Sequence, residues 1–328
     1  MTTLRLQPAD VARAAAILRA GGLVAFPTET VYGLGGDATN PQAVARIFAA
    51  KGRPADNPLI VHLAAAADLG TIAEGDSPLA ALWPAPLTLV MRRRPGAVCD
   101  LATAGLDTVA VRVPAHDLAR ALIAAAGCPV AAPSANRSGR PSPTTAAAVL
   151  EDLDGRIDAV LDGGPAEVGV ESTVVDATQA PPRVLRLGGL PLETLRRLAP
   201  DLLVGGDARR SPGTRYRHYA PRAPVVLADA DAIIAMLTED PRAAALVTDE
   251  TATRLPPGRP GLARLGPAAD GAAHAQRVFE SLRRLDRDHP SLIAAEILPE
   301  VGLDRAVMDR LRRAASAQGG SGPRVNAR

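Results

Sequence analysis

A single lysine gives the first indication of phosphate chemistry. Lysine and arginine together number 37 in this chain, and Lys51 is the only lysine among them. Arginine can replace lysine on a solvated surface, but not at a tight phosphate contact that needs a compact ammonium. Arg53 follows two residues later, and its guanidinium can donate to two phosphate oxygens at once. We therefore expect Lys51 and Arg53 to contact a bound polyphosphate; the alternative is a solvated basic helix end, favoured by the helix dipole.

Hydroxyl and amide side chains occur beside turn-forming residues in three further segments. Groups of this kind in loops after strands can bind the polar atoms of a ligand. Each segment taken alone could equally be an ordinary turn. The segments are PTETVYGLG (27–35), APSANRSG (132–139) and EST (171–173).

Two polar side chains interrupt otherwise apolar strands. Arg112 lies in VAVRV (109–113), and His62 lies in LIVHL (59–63). A buried charge is costly unless it is paired, so we expect Arg112 to meet a carboxylate, either internal or a ligand's. A lone histidine such as His62 in an apolar strand is more often structural than functional.

Up to about residue 190 the chain alternates between β-branched runs and alanine-rich helical stretches. These are the elements that must position the polar residues. Asn40 as N-cap and Pro41 at the first helical position predict a helix to Ala50. The N-terminal segment reads as an amphipathic helix with Val11 and Leu18 on its apolar face. The pattern predicts an α/β fold with a mixed sheet rather than a regular βαβ repeat. The predicted strands are Leu23–Phe26, Leu59–Leu63, Thr88–Arg92, Val109–Val113, Val130–Ala132, Ala159–Leu161 and Thr173–Asp176.

A second α/β pattern begins after Pro224 and predicts a small three-layer domain of about a hundred residues. A connecting stretch from roughly Ala199 to Arg222 precedes it, and the polar, glycine-rich tail from Gln318 is predicted to be disordered. The predicted strands are Val225–Leu227, Ala244–Val247, Leu262–Leu265 and Leu292–Ile297; the predicted helices are Ala230–Leu237, Ala272–Arg284 and Leu303–Ala315.

Composition and missing motifs restrict the function classes. The formal net charge is +2 and aromatic residues make up 2%, which argues against an RNA-binding module with a basic, aromatic surface. Two distant cysteines, Cys99 and Cys128, argue against a disulfide framework or a structural zinc site and favour the reducing cytoplasm. No apolar run approaches the length of a membrane span. Walker A, GxGxxG, GxSxG and HExxH motifs are also missing, so a standard nucleotide fold is not indicated.

Taken in order, the segments resemble the threonylcarbamoyl-AMP synthase family, which has a YrdC-like fold. Ala85 stands where a glycine is expected, and Thr214-Arg215 replaces a usual Met-Lys pair. The shared segments are FPTETVYGLGGDA, KGRPADNPLIVHL, LWPAPLTLV, VAVRVP, APSANRSGRPSPT, GVESTVVD and LRLGGL, with SPGTRYRHYAP and GLDRAVMDRLRRAA in the longer, two-domain members. The resemblance implies a YrdC-like catalytic domain over 1–198, a linker closing over the site over 199–222, a smaller Rossmann-like α/β C-terminal domain over 223–317 and a disordered tail over 318–328.

The resemblance also implies roles for individual residues. Those expected to hold threonine are Thr30, His62, Arg112, the backbone of Ala132, and Ser172. Those expected to hold ATP are Lys51, Arg53, Asn57, Thr108, Ser134, Asn136, Ser142, Arg186, His218 and Tyr219. Tyr216, His218 or Tyr219 of the linker would close over the site.

The implied reaction joins L-threonine, bicarbonate or CO2, and ATP into threonylcarbamoyl-AMP and pyrophosphate. In this reaction Lys51 and Arg53 would be the catalytic residues, through positioning and charge stabilisation. Mg²⁺ would arrive with ATP, with no metal site of the protein's own, and the product would pass to a tRNA threonylcarbamoyltransferase that modifies the adenosine next to the anticodon. We expect a cytoplasmic protein with weak or absent tRNA contact and no membrane contact. The rival enzyme is a hydrogenase-maturation carbamoyltransferase, whose cysteine-rich zinc motifs this chain lacks. The rival non-enzyme is the RNA-binding module.

Overall fold

The computed structural model describes residues 2–207 and 219–316, which form two α/β units with one sheet each. The helices are α1 Val11–Arg19, α2 Pro41–Lys51, α3 Leu69–Ile72, α4 Asp117–Ala126, α5 Ala146–Leu153, α6 Leu192–Leu198, α7 Ala230–Glu239, α8 Asp249–Thr253, α9 Gly271–Arg287 and α10 Asp304–Ser316. The strands are β1 Leu4–Leu6, β2 Val24–Phe26, β3 Gly33–Asp37, β4 Ile60–His62, β5 Ala73–Glu74, β6 Leu87–Arg93, β7 Thr108–Arg112, β8 Val130–Ala131, β9 Ala159–Leu161, β10 Thr173–Asp176, β11 Arg183–Arg186, β12 Leu203–Val204, β13 Val225–Ala228, β14 Ala244–Val247, β15 Leu262–Arg264 and β16 Ile293–Glu296.

The larger sheet has twelve strands in the order β1-β9-β2-β3-β8-β4-β7-β6-β10-β11-β12, with β5 paired to β6. The sheet contains both parallel pairs, such as β4–β7, and antiparallel pairs, such as β6–β7. This confirms the predicted mixed sheet. Leu203–Val204 pairs with β11, so the larger sheet extends beyond residue 198, where the sequence placed the end of the first domain.

Local sequence signals account for the helices that flank this sheet. Asn40 caps α2 by accepting from the backbone amides of the first turn, and Gly52 ends the helix in a left-handed conformation. Leu18 of α1 and Leu122 of α4 pack in one core cluster with Phe26 of β2. The helix predicted from Pro41 is confirmed and extends one residue further, to Lys51.

Five strands of the larger sheet, β1, β3, β5, β11 and β12, were not predicted, and two of them form where another structure was expected. The Gly33–Asp37 segment, read from the sequence as a glycine-rich turn, forms β3 and pairs with both β2 and β8. A Cβ atom on Gly35 would lie 2.8 Å from the ring of Phe26 and 2.9 Å from Val130, so only glycine fits beside these side chains. Leu4–Leu6, read as the start of the N-terminal helix, forms β1 instead and pairs with β9.

The smaller sheet is parallel throughout, with strand order β13-β16-β14-β15. Ile233 of α7 packs on one face of this sheet, and Phe279 of α9 and Met308 of α10 pack on the other. The predicted three-layer arrangement is therefore present. His218 and Tyr216 of the predicted linker, and the predicted tail 318–328, lie outside the described residues. Within 2–207 and 219–316, no helix has the length and apolar character needed to cross a membrane.

Candidate active site

A cleft of about 620 Å³ gathers most of the predicted site residues. Its walls come from β4, β7 and β11 and from the loops that follow β2 and β8. The predicted residues that line it are Thr30, Arg53, His62, Arg112, Ala132, Ser134, Asn136, Ser142, Ser172, Arg186 and Tyr219.

The register of five strands explains how distant polar residues meet in this cleft. His62 lies opposite Arg112, and Arg112 lies opposite Thr88. Thr88 lies opposite Val174, which in turn lies opposite Arg186. Directly opposed residues of neighbouring strands place their side chains on the same face of a sheet. The sheet therefore carries one transverse row of side chains, polar except for Val174 and called the polar row below, which no spacing along the sequence reveals.

Arg112 is held by an internal carboxylate, as its predicted burial requires. Its Nη2 atom lies 2.6 Å from Oε1 of Glu29, and both side chains are 4% exposed. Its Nη1 atom donates to the hydroxyl of Thr30 at 2.9 Å. The Nε atom of Arg112 has no hydrogen-bond acceptor among the described residues. The buried guanidinium is thus fixed in orientation and keeps donor capacity that no described residue uses.

His62 is a neutral member of the polar row. Burial and the adjacent guanidinium of Arg112 lower its pKa to about 3. The Nδ1 atom lies 3.3 Å from the carbonyl oxygen of Ile60, and the ring contacts the ring of Phe26 edge to face at 6.2 Å. His62 therefore offers an uncharged imidazole to the cleft.

The hydroxyl of Ser172 is fixed by two neighbours from the polar row. It lies 2.7 Å from the hydroxyl of Thr88, and Nη2 of Arg186 donates to it at 3.2 Å. Arg186 also donates to the Ser172 carbonyl at 2.9 Å. Ser172 and Arg186, weak candidates when taken alone in the sequence, thus form one buried unit.

Lys51 holds the loop after β8 rather than lining the cleft. Its ammonium donates to the carbonyl oxygens of Ser134 and Asn136, at 2.5 Å each. Burial, with a smaller effect from the Arg53 guanidinium, lowers its pKa well below the ordinary value. The lysine therefore fixes the backbone that presents Ser134 and Asn136, and its predicted contact with a phosphate stays a prediction.

The structure separates two other predicted nucleotide-binding residues from the cleft lining. Asn57 is fully buried behind Arg53, whose Nη2 donates to the carbonyl of Pro58 at 2.9 Å. Thr108 begins β7 and Arg112 ends it, so they lie about 13 Å apart at ~3.3 Å per residue. Arg53 lines the cleft, whereas Asn57 and Thr108 do not.

Glu171 is a cleft residue that the sequence analysis did not single out. Its carboxylate accepts from the hydroxyl of Ser142 at 2.5 Å and from Nε of Arg310 at 2.7 Å. Burial alone would raise its pKa, but the guanidiniums of Arg310 and Arg186 bring the pKa below its ordinary value. The only available signal was the segment EST itself, because Arg310 lies 139 residues further along the chain.

Family comparisons match both parts of the chain. A family model described as telomere recombination matches residues 16–188. A second, described as threonylcarbamoyl-AMP synthase, C-terminal domain, matches residues 190–316. Together the two matches include the cleft residues and every strand of the two sheets except β1.

Relatives of known name align over nearly the whole chain. A threonylcarbamoyl-AMP synthase of Pyrococcus abyssi is 42% identical over 94% of this chain and 95% of its own length. One of Bacillus subtilis is 41% identical over 94% of each chain. The crystal structure of P. abyssi Sua5 complexed with L-threonine superposes with a TM-score of 0.88 and 39% identity, over 97% of this chain and 98% of the other. Escherichia coli YciO shares the fold of the larger unit, with a TM-score of 0.52 and 22% identity over 57% of this chain and 96% of its own.

Proposed function

The chain belongs to the threonylcarbamoyl-AMP synthase family and forms a threonylcarbamoyl-adenylate from L-threonine, and we propose that its other substrates are MgATP and bicarbonate or CO2. One structural observation supports this most strongly. A single cleft combines a compact polar pocket around Arg112 with a second group of donors around Arg186 and Ser134. An amino acid and a nucleotide can thus be held side by side.

The pocket around Arg112 suits the zwitterion of an amino acid. The guanidinium of Arg112, which lines the cleft, would bind the threonine carboxylate, and the ion pair with Glu29 fixes the guanidinium beforehand. The neutral ring of His62 and the hydroxyl of Ser172 can bind polar atoms without adding charge. We propose that Thr30 and the backbone of Ala132 complete this pocket.

The second group of donors suits a nucleoside triphosphate. Arg53 and Arg186 supply guanidiniums, while Ser134 and Asn136 lie in the loop that Lys51 holds in place. Such groups can bind phosphate oxygens and stabilise the charge that develops in phosphoryl transfer. We propose that Ser142 and Tyr219 form the far wall of the nucleotide pocket.

The proposed chemistry needs no covalent enzyme nucleophile. Threonine's amine and bicarbonate give a carbamate and water, and one carbamate oxygen then attacks the α-phosphorus of ATP. The bond from that phosphorus to the bridging oxygen breaks, and pyrophosphate leaves with the electron pair. We propose that Mg²⁺ enters bound to the ATP phosphates. Catalysis would then rest on positioning and on charge stabilisation by Arg53 and Arg186.

We assign the enzyme to the nucleotidyltransferases and propose that it works in the cytoplasm. An acyl-adenylate is a reactive mixed anhydride, so a transferase must consume it. We propose that this transferase moves the threonylcarbamoyl group to a tRNA adenosine.

Pyrophosphate release from MgATP by the full chain tests this proposal. We expect release to require both L-threonine and bicarbonate, and to fall about tenfold or more in Arg53→Met because a charge-stabilising donor is lost. Arg46→Met is the matched control, because Arg46 lies on α2 and pairs with Asp158 at the surface. Release supported by carbamoyl phosphate instead would favour the carbamoyltransferase, and no release under any condition would refute the proposal.

A further inference from the structure

Helix α10 of the C-terminal domain places one arginine directly behind the wall of the cleft. Arg310 is 0% exposed. Its Nε atom donates to the Glu171 carboxylate at 2.7 Å, and its Nη2 atom donates to the Leu187 carbonyl at 2.9 Å. Both acceptors belong to the catalytic domain and adjoin the cleft residues Ser172 and Arg186. One side chain thus connects the C-terminal domain to two segments of the cleft wall.

The same arginine fixes an aromatic residue of the cleft. The Arg310 guanidinium lies 5.1 Å from the ring centroid of Tyr219, on which the ring of Phe279 from α9 also stacks at 5.4 Å. The backbone of Tyr219 has φ of 64°, a left-handed conformation that side-chain-bearing residues seldom adopt. Packing against the C-terminal domain therefore maintains the position of this ring.

Charge gives Arg310 a further role at the cleft. Among the described residues that line the cleft, Glu171 is the only carboxylate, and it lies among cationic groups suited to phosphates. A buried carboxylate without a partner would repel an incoming triphosphate. Arg310 contributes the compensating charge from outside the cleft lining, and its second carboxylate partner, Asp309, is balanced in turn by Arg313.

We propose that Arg310 is a positioning residue for ATP, through which the C-terminal domain completes the nucleotide part of the cleft. This rests on the proposed function and assigns a role to the C-terminal domain. Arg310 orients the side chains of Glu171 and Tyr219, and it neutralises the charge of the Glu171 carboxylate. It need not touch the nucleotide.

Steady-state pyrophosphate release by the full chain tests this assignment. Arg310→Met should raise the KM for ATP by about tenfold or more, because it leaves the Glu171 carboxylate unpaired, while the KM for threonine changes by less than about threefold. Adding Glu171→Gln should recover much of the loss, since the uncompensated charge is then gone. A purely structural role would instead lower the amount of folded, active enzyme and leave the KM for ATP unchanged.

Arg312→Met is the matched control, because Arg312 lies on the same helix and pairs with Glu300 at the surface. Its KM values should equal those of the wild type. An unchanged KM for ATP in Arg310→Met, or an equal rise in both KM values without recovery in the double variant, would overturn the assignment. No release by the wild type would refute the proposed function instead.

A destabilised single variant leaves the assignment testable. If Arg310→Met does not fold, the double variant is compared with Glu171→Gln alone, because neither contains an unpaired carboxylate. Calorimetric titration with ATP should then show weaker binding by the double variant, whose Tyr219 ring has lost its cationic neighbour. Equal ATP affinities would overturn the assignment.

Discussion

The buried ion pair between Arg112 and Glu29 gives the sharpest prediction about stability. Arg112→Met leaves the Glu29 carboxylate buried without its partner, at a site where both side chains are 4% exposed. Removing one partner of such a pair costs about 3–5 kcal/mol of unfolding free energy. The double variant Glu29→Gln/Arg112→Met removes both charges, so we expect it to recover most of that loss.

Trp83 makes the measurement specific to the catalytic domain. It is the only tryptophan of the chain, and it is buried in the main core cluster of the larger unit. Its fluorescence during equilibrium urea unfolding therefore reports the domain that contains Arg112. The midpoint and slope of each transition give the free energy in water.

An exposed ion pair supplies the control for this measurement. Arg120 and Asp117 lie 2.6 Å apart, the same distance as Arg112 and Glu29, but Asp117 is 95% exposed. Arg120→Met should cost less than about 1 kcal/mol. A loss below about 1 kcal/mol in Arg112→Met, or a double variant no more stable than the single one, would refute the reasoning about burial.

Three further predictions follow from buried groups. Burial and a nearby guanidinium hold the pKa of His62 at about 3, below the ordinary 6.5. Between pH 6.5 and about pH 3, His62 therefore takes up a proton when the protein unfolds. The unfolding free energy falls with decreasing pH in this window by up to about 1.4 kcal/mol per pH unit. His62→Gln should make the urea-derived stability less steep between these pH values, and an unchanged slope would contradict the assignment. Lys51→Met should raise the KM for ATP by about tenfold, because it releases the carbonyl groups of Ser134 and Asn136 in the loop after β8. Arg46→Met on the same helix should leave the KM unchanged. Equal KM values for the two variants would contradict the role of Lys51 in holding this loop. Gly188→Ala would place a Cβ atom 2.3 Å from the backbone of the segment before β10, so it should lower the unfolding free energy by about 1–3 kcal/mol. Gly70→Ala, with open space around the added atom, should be neutral or stabilising. Equal urea midpoints for the two variants would show that the backbone around Gly188 is not tightly packed.

The sequence predicted the elements better than it predicted their contacts. The Asn40–Pro41 signal located α2 to within one residue, because caps act through local hydrogen bonds. The β3 strand was missed because Gly33–Asp37 has little strand propensity, and its glycines are required by the neighbouring Phe26 ring. That requirement comes from tertiary packing rather than from the segment itself.

Site residues that belong to the ordered sequence motifs could be predicted. Contacts that depend on strand register or on the packing of the two domains could not. Thr30, Arg112 and Ser172 were identified from their segments, and the cleft brings them together. The contact of Arg310 with Glu171 depends on how two domains pack, so no local pattern could reveal it. Lys51 was identified because it is the only lysine of the chain. Its being the only lysine could not reveal that its ammonium binds the carbonyl groups of Ser134 and Asn136.

Isotope tracing of the product tests the central claim most directly. The full chain is incubated with MgATP, L-threonine and ¹³C-bicarbonate, and the nucleotide products are analysed by mass spectrometry. We expect a threonylcarbamoyl-adenylate that contains one ¹³C atom, formed in equal amount with pyrophosphate. Pyrophosphate release without this adenylate, or an adenylate that contains no labelled carbon, would contradict the account.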